Sequence, residues 1–568
     1  MSPFHKAAIA GDLPELKRLL AEGADIHFHD ESDGHTPLIA ACLSPHASLD
    51  VLRFLLDHGA DVNAVSHATF EEDKPLIALA VSHPPASCEK IRLLIEHGAD
   101  INYRSPHGYT LLIWAAYSGR EDVVDLLLSA GAPIDGESTY RESALSVLSH
   151  TGRFRSIAKV LARGADPAPL QWTPLMQAVA LGSVQEMITL IDEGADLEAT
   201  DHWERTPFLL GIHSGDTEKV ALLLARGAKR GVTGRCGKPP MHYPIDHDDT
   251  RMLQWLIDQG FDFNQEDQFG HSPLMEAAEK SAPECFKLLV ANGADWIAGD
   301  EDIISRVEHP EIVDMLYERG EDLGKLEDTV LRDFIGLGTA PDLPVSEQDY
   351  QEGRFRRFGK ANPERMAVPF WNAMVRCGWS GYQAAKQFGD DSYGRNNPVW
   401  SHDRFGMSLT KLPDGRFIQI AGEHEDHYDP DFCIYNDVFI HDGKGGIEIL
   451  GYPEEVFPPT DFHSATLIPP WIYIIGNLGY VHTRDTSGRE TPVFRLHIET
   501  GEIERVATHG TAPGWIHRHR AQVEDGWIRI TGGRIFGLTQ EGKGELRDND
   551  ASYGLDLAAM VWRRLADD

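Results

Sequence analysis

One tripeptide recurs along the first half of the chain at intervals that leave little choice of architecture. Gly-Ala-Asp begins at Gly23, Gly59, Gly98, Gly164, Gly194 and Gly293, with degenerate copies at Gly131, Gly227, Gly260 and Gly320. The ten glycines are separated by 36, 39, 33, 33, 30, 33, 33, 33 and 27 residues. A period near 33 held this long predicts a solenoid of stacked helix pairs, because a unit of that size cannot bury its apolar face alone.

The unit between Gly108 and Gly131 shows how each pair is written. Thr110 precedes a short helical stretch, Leu112 to Tyr117, which ends at Ser118-Gly119. A second stretch from Glu121 to Ser129 carries Val123, Val124, Leu126, Leu127 and Leu128 on one broad apolar face. Gly131 stops it, since a glycine past a helix end adopts the left-handed conformation at little cost. Neither helix is long enough to persist alone, so each must stack on its neighbours.

Thr36-Pro37-Leu38, Thr173-Pro174-Leu175-Met176, Thr206-Pro207-Phe208 and Ser272-Pro273-Leu274-Met275 open further units. Threonine or serine caps the helix and proline at its first position loses no hydrogen bond. Asp61-Val62-Asn63, Asp100-Ile101-Asn102 and Asp262-Phe263-Asn264 follow the terminating glycines. These motifs resemble the Thr-Pro-Leu-His opening and the Asp-hydrophobic-Asn tail of ankyrin repeats. Only Pro240-Met241-His242 keeps the histidine, and the unit from Arg141 to Pro169 lacks the proline. The resemblance implies about nine to ten repeats over residues 1–326, with the first and last as caps.

It also implies a protein partner held on the concave face, by hairpin tips and inner helices. Trp203 and Phe269 fall at tip positions just before Thr206-Pro207 and Ser272-Pro273, with Tyr103, His107 and Tyr140 on neighbouring tips. Exposed aromatics of this kind are enriched where binding energy concentrates. A formal net charge of −37 argues against a nucleic acid and permits a basic protein. No apolar run approaches the roughly 18 residues of a membrane span, and the start of the chain lacks the pattern of a secretory signal. Six cysteines without close pairs suit a reducing compartment, so a cytoplasmic location is expected.

The period ends at Leu326, and residues 327–396 read as a helical connector. Met366, Val368, Phe370, Trp371, Met374 and Val375 give its third helix an apolar face that requires cover, and Arg354, Arg356, Arg357, Lys360 and Arg365 form a dense basic run. Residues 397–568 change to period-2 alternation, the mark of strands. Arg416 to Gly422, Trp471 to Asn477 and Trp527 to Gly533 align as three blocks, each with a strand before it and two after. Gly532-Gly533, Tyr435 to Phe439 and Trp562 resemble kelch repeats. The resemblance implies an antiparallel all-β partial propeller of three blades, either covered at its open edges by the connector or paired with a second chain as a homodimer.

One loop carries candidate chemistry. His424, Asp426, His427 and Asp429 fall within a few residues of one another after the first block, a donor set that suits a divalent metal. The spacing matches no zinc-enzyme helix motif, and no phosphate loop or nucleophile signature occurs. The leading expectation is a two-domain scaffold protein without a cofactor, binding a partner through its concave surface. The alternative is a metal-dependent enzyme using the 424–431 loop, with the solenoid recruiting its substrate.

Overall fold

A computed structural model describes the chain apart from residues 1, 31–33, 68–72, 84–85, 297–300, 322, 324–325, 339–342, 393–397, 425–431, 486–489, 540–542 and 566–568. It divides into two compact units, residues 1–312 and 313–568.

The first unit is a solenoid of helix pairs. The first helices of successive repeats run Pro3–Ala10, Pro37–Leu43, Leu76–Ser82, Leu111–Tyr117, Ala144–His150, Pro174–Leu181, Pro207–His213, Pro240–His247, Pro273–Glu279 and Glu301–Ile304. Each is followed by an outer helix, from Leu13–Ala21 in the first repeat to Pro283–Ala291 in the ninth; the division between units falls within the last of them, Pro310–Glu318. The eighth opening helix is 3₁₀ and holds Pro244 in its interior, where the missing N–H removes an α-helical bond. The caps act as the motifs require: the Oγ atoms of Thr110, Thr173 and Ser272 accept from the backbone N–H three residues on, at 3.3, 3.2 and 3.2 Å.

Gly-Ala-Asp has a definite mechanical meaning. Gly194 sits at φ 90°, where a side chain would be strained although nothing lies near to obstruct it. The following aspartate folds the chain onto itself, Asp61 Oδ1 accepting from Asn63 N and Asp100 Oδ1 from Asn102 N, both at 2.9 Å. Asn63 Oδ1 in turn accepts from Asp100 N of the next repeat at 2.9 Å, and Asn264 Oδ1 from Asp295 N at 3.0 Å.

Two buried lysines bind repeats together. Lys90 Nζ donates to the carbonyls of Ala41, Cys42 and Ser44 at 3.2, 3.2 and 2.6 Å. Lys219 Nζ does the same for Ala178, Val179 and Gly182 at 3.3, 2.8 and 2.8 Å. Both ammonium groups sit where helix carbonyls lack partners and the helix dipole is negative, which suits a cation.

In the second unit strands form where the alternating runs lie. Ser408–Lys411, Phe417–Ile420, Val438–His441 and Ile447–Gly451 build one antiparallel meander, and Ser464–Ile468, Trp471–Ile475, Val493–His497 and Ile503–Arg505 a second. Arg520–Glu524, Trp527–Thr531, Tyr553–Asp556 and Val561–Arg564 make a third. The expected kelch-like propeller is not what they compose. The sheets are open and do not curl into a ring, and a separate three-stranded sheet of Trp515–His517, Arg534–Leu538 and Gly544–Asp548 lies outside the four-strand pattern. Three four-stranded blocks are too few to close, since rings of this kind take about four or more.

Added strands extend two of these sheets instead. Glu364–Arg365 pairs with the outer strand Ile447–Gly451, and His509–Gly510 runs parallel to Val561–Arg564. The apolar helix of the connector, Pro369–Cys377, packs within this unit. Trp371 stacks on Trp400 at 4.8 Å and 6°, in a core with Tyr435 and Phe439. Trp400 Nε1 and the Arg404 guanidinium both donate to the buried Asp437 carboxylate.

Removing the Lys219 ammonium tests the stapling. Lys219→Met removes the side-chain donor from the Val179 and Gly182 carbonyls and should cost roughly 1–3 kcal/mol. A urea midpoint equal to that of the wild type would show that the staple contributes nothing.

Candidate functional site

In the fourth, seventh, eighth and ninth repeats the fourth or seventh residue after the helix cap carries a polar or aromatic side chain. Those positions are Trp114 and Tyr117 in the fourth repeat, His213 in the seventh, Tyr243 and Asp246 in the eighth and Glu276 in the ninth. They divide the concave side into two different surfaces.

The C-terminal part is filled in. The finger between Gly164 and the helix cap Thr173 belongs to the one interval of 30 residues, so it is three residues shorter than its neighbours. Trp203 leans inward over this gap. Its Nε1 donates to Ser146 O at 2.8 Å, its ring lies 4.2 Å from His150, and the Arg235 guanidinium caps it at 4.8 Å. Arg205, 1% exposed, donates to Asp201 Oδ2 at 2.6 Å and to Ser149 O at 2.7 Å. His247 Nε2 lies 3.2 Å from Gly152 O. The seventh and eighth repeats thus reach the fifth directly across the sixth. Gly152 permits this, since any Cβ there would meet His247 and His213 at 2.4 and 2.5 Å.

A chain of buried polar groups continues from Arg205. Its Nη1 faces His213 Nδ1 at 2.9 Å. A guanidinium can only donate, so Nδ1 accepts and the proton of the neutral ring sits on Nε2. Nε2 stands 3.2 Å from Asp246 Oδ2 without the alignment of a hydrogen bond. Lys238 Nζ bridges Asp246 at 3.1 Å and Glu276 at 3.3 Å. Burial lowers His213 to about 3, so it is neutral near pH 7. Burial alone would raise Asp246 and Glu276. His213 and Lys238 instead hold Asp246 far below the usual carboxylate range, and His242 and Lys238 hold Glu276 near 2.

The N-terminal part is open. A groove of about 840 Å³ crosses the first repeats, lined by His27, His29, Asp61, Asp73, Asp100 and Tyr103 among others. Beyond it Tyr109 lies 4.8 Å from Trp114 and 6.2 Å from Tyr117, and the Lys74 ammonium stands 5.2 Å over the Trp114 ring. Glu142 gathers this cluster, its carboxylate accepting from Tyr109 Oη at 2.7 Å, from Ser138 Oγ at 3.2 Å and from Tyr117 Oη.

The residues expected at the site separate accordingly. Tyr140 and Phe269 are exposed to 67% and 66%, and His107 lies 6.1 Å from Tyr140 on adjoining tips. Tyr103 lines the open groove, whereas Trp203 is turned into the filled part. Of the metal candidates, Asp426, His427 and Asp429 lie outside the described residues. His424 is buried in the short strand Glu423–His424, its Nδ1 2.8 Å from Asp403 O. Among the described residues no group of three or more histidines, cysteines and carboxylates is placed to hold a metal ion. Trp114, Tyr117 and Glu142 were not singled out from the sequence. The fourth and seventh positions after each cap, compared between repeats, carry the signal that finds the first two.

Residues 1–66, 65–139 and 211–300 match the family described as "Ankyrin repeats (3 copies)". The N-terminal unit is built of ankyrin repeats. The interval without a match, 140–210, contains the short finger and the inward Trp203. Human Arf-GAP with coiled-coil, ANK repeat and PH domain-containing protein 3 is 52% identical over 60 residues, which is 10% of this chain and 7% of that protein. Protein phosphatase 1 regulatory subunit 27 of human and of mouse is 39% identical over 66 residues, 12% of this chain and 41% of that protein. The chain therefore spans less than half the length of each relative. The ankyrin unit is consistent with protein–protein interaction. Among the described residues no helix is long and apolar enough to cross a membrane.

The buried histidines give a signed pH dependence. A histidine held at about 3 in the fold and near 6.5 in the unfolded chain binds its proton only after unfolding, so stability is full above 6.5 and falls with acidification between those values. For His213 the loss at pH 5.5 is about 1.4 kcal/mol. His213→Gln should flatten the fall of melting temperature between pH 7.5 and 5.5, and an unchanged slope would refute a neutral buried imidazole.

Proposed function

We propose that this chain is a scaffold protein that grips a protein partner in the open concave groove of its ankyrin unit, with the fingertips as the rim. The observation that carries this reading is the contrast between the two concave surfaces. Repeats five to nine consume their own polar and aromatic groups in buried contacts, from Trp203 on Ser146 to Lys238 on Glu276. The first four repeats leave an acid-lined groove and half-exposed aromatics open. An acidic chain with such a groove suits a basic partner. Tyr140 is the rim aromatic presented to it and Phe269, on the finger of the ninth repeat, is a separate exposed contact, while Trp203 fills the concave side at the sixth repeat.

Tyr140→Ala with Phe269→Ala should weaken capture of the partner without altering the melt, because both side chains are exposed. Affinity capture from source cells with quantitative mass spectrometry compares the double variant with the wild type. An identical set of captured proteins would remove the fingertips from the interface. Trp203→Ala should instead lower the melting temperature, through loss of its packing and of the bond to Ser146 O.

The second unit serves, in the same proposal, as a further interaction module, and its open sheet edges are the natural place for two chains to pair. Light scattering across a concentration series reads this directly: a mass that stays at 63.1 kDa at the highest concentration excludes the homodimer.

A further inference from the structure

The aromatic cluster of the fourth repeat has a chemistry of its own. Trp114 and Tyr117 occupy the two concave-facing positions of the helix Leu111–Tyr117, whose Leu111, Leu112, Ile113, Ala115 and Ala116 are all buried. Tyr117 is 41% exposed, and Tyr109 and Trp114 are half-buried, so ring surface faces solvent. Behind the rings stands one carboxylate. Burial alone would raise Glu142, yet hydrogen bonds from Tyr109, Tyr117 and Ser138 hold it below its ordinary value and keep it ionised. A phenol that donates to a carboxylate becomes more electron-rich over its ring, which strengthens its attraction for a cation. The Lys74 ammonium, 5.2 Å over Trp114, is a cation already seated on this aromatic surface.

We infer that Tyr109, Trp114, Tyr117 and Glu142 form a receptor for the ammonium group of a lysine side chain on an extended, basic segment of the partner. The rings supply cation–π faces and Glu142 supplies the fixed charge. The neighbouring groove continues the same preference. Asp61, Asp73 and Asp100 line it with no lysine or arginine among its lining residues, and Pro75, next to Lys74, forms part of its wall. The hairpin joining the two places, with Ser105 N bonded to Tyr109 O at 2.9 Å, sets Tyr103 at the groove and Tyr109 at the cluster. A strand-like segment with several lysines would lie with one ammonium on the rings and others beside the aspartates.

This inference rests on the concave groove as the binding surface, and its test is separable from that reading. A fluorescein-labelled peptide of alternating glycine and lysine is titrated with the full chain and followed by anisotropy. Trp114→Leu changes no charge, so general attraction to an acidic protein persists in it. Specific seating predicts at least about tenfold weaker binding for Trp114→Leu and for Glu142→Gln, a loss typical of a cation–π contact and its charge partner. Tyr117→Leu, at an exposed position, should weaken binding in the same direction and guards against a Trp114 variant that misfolds. Equal affinity of wild type, Trp114→Leu and Tyr117→Leu overturns the inference, as does no measurable binding by the wild type. If the peptide fails while the fingertip variant still loses its captured partner, the concave-face reading stands and the lysine receptor falls.

Discussion

Each opening helix of the solenoid ends in carbonyls that its own repeat cannot satisfy, and much of the architecture follows from where they find donors. A helix of seven or eight residues leaves most of its final carbonyls without an intrahelical partner. Lys90 and Lys219, from the outer helices of following repeats, supply ammonium groups to these ends. Arg120 does so with its guanidinium, donating to Ala80 O at 3.1 Å and His83 O at 3.3 Å. The donors come from 37 to 49 residues away, so a repeat is completed only when its successor has docked. Apolar burial makes stacking favourable, and these bonds fix its register.

That dependence also explains why the two concave surfaces differ. Where fingers are of full length they stand side by side, joined by single backbone bonds such as Thr139 N to His107 O at 2.8 Å, and the groove beneath stays open. Where three residues are missing, the neighbouring repeats close inward and polar side chains become buried. Buried charges demand partners, so Arg205, Asp246, Lys238 and Glu276 each have one. The groups spent on satisfying one another are withdrawn from recognition. The aromatic cluster around Glu142 and the aspartate-lined groove lie on the other side of the short finger.

Much of this was legible in the sequence, because glycine spacing, Thr/Ser caps and apolar runs act locally. Gly131, Thr110 and Ser272 do what their residue types require wherever they occur. The alternating runs from Arg416, Trp471 and Trp527 likewise placed strands. The partial propeller did not follow, since the angles between sheets are encoded by no local alternation. Trp203 and Phe269 occupy equivalent tip positions, yet one turns in and the other out. The difference lies in the shortened finger beside Trp203, where His202 N donates to Leu170 O at 3.3 Å, a fact that a tip residue does not carry. Nothing local marks Lys90 and Lys219, on the outer helices, as different from other polar positions; their role comes from carbonyls 37 to 49 residues away in sequence.

The bridge across the sixth repeat changes how the array comes apart. An array whose repeats touch only their nearest neighbours frays like a zipper, unit by unit from its ends. Contacts from Trp203, Arg205 and His247 back to the fifth repeat skip a link, so repeats five to eight must open as one cooperative block. The first four repeats keep the softer, sequential behaviour. The segment that offers its surface to a partner is therefore free to flex around it, anchored on a block that does not.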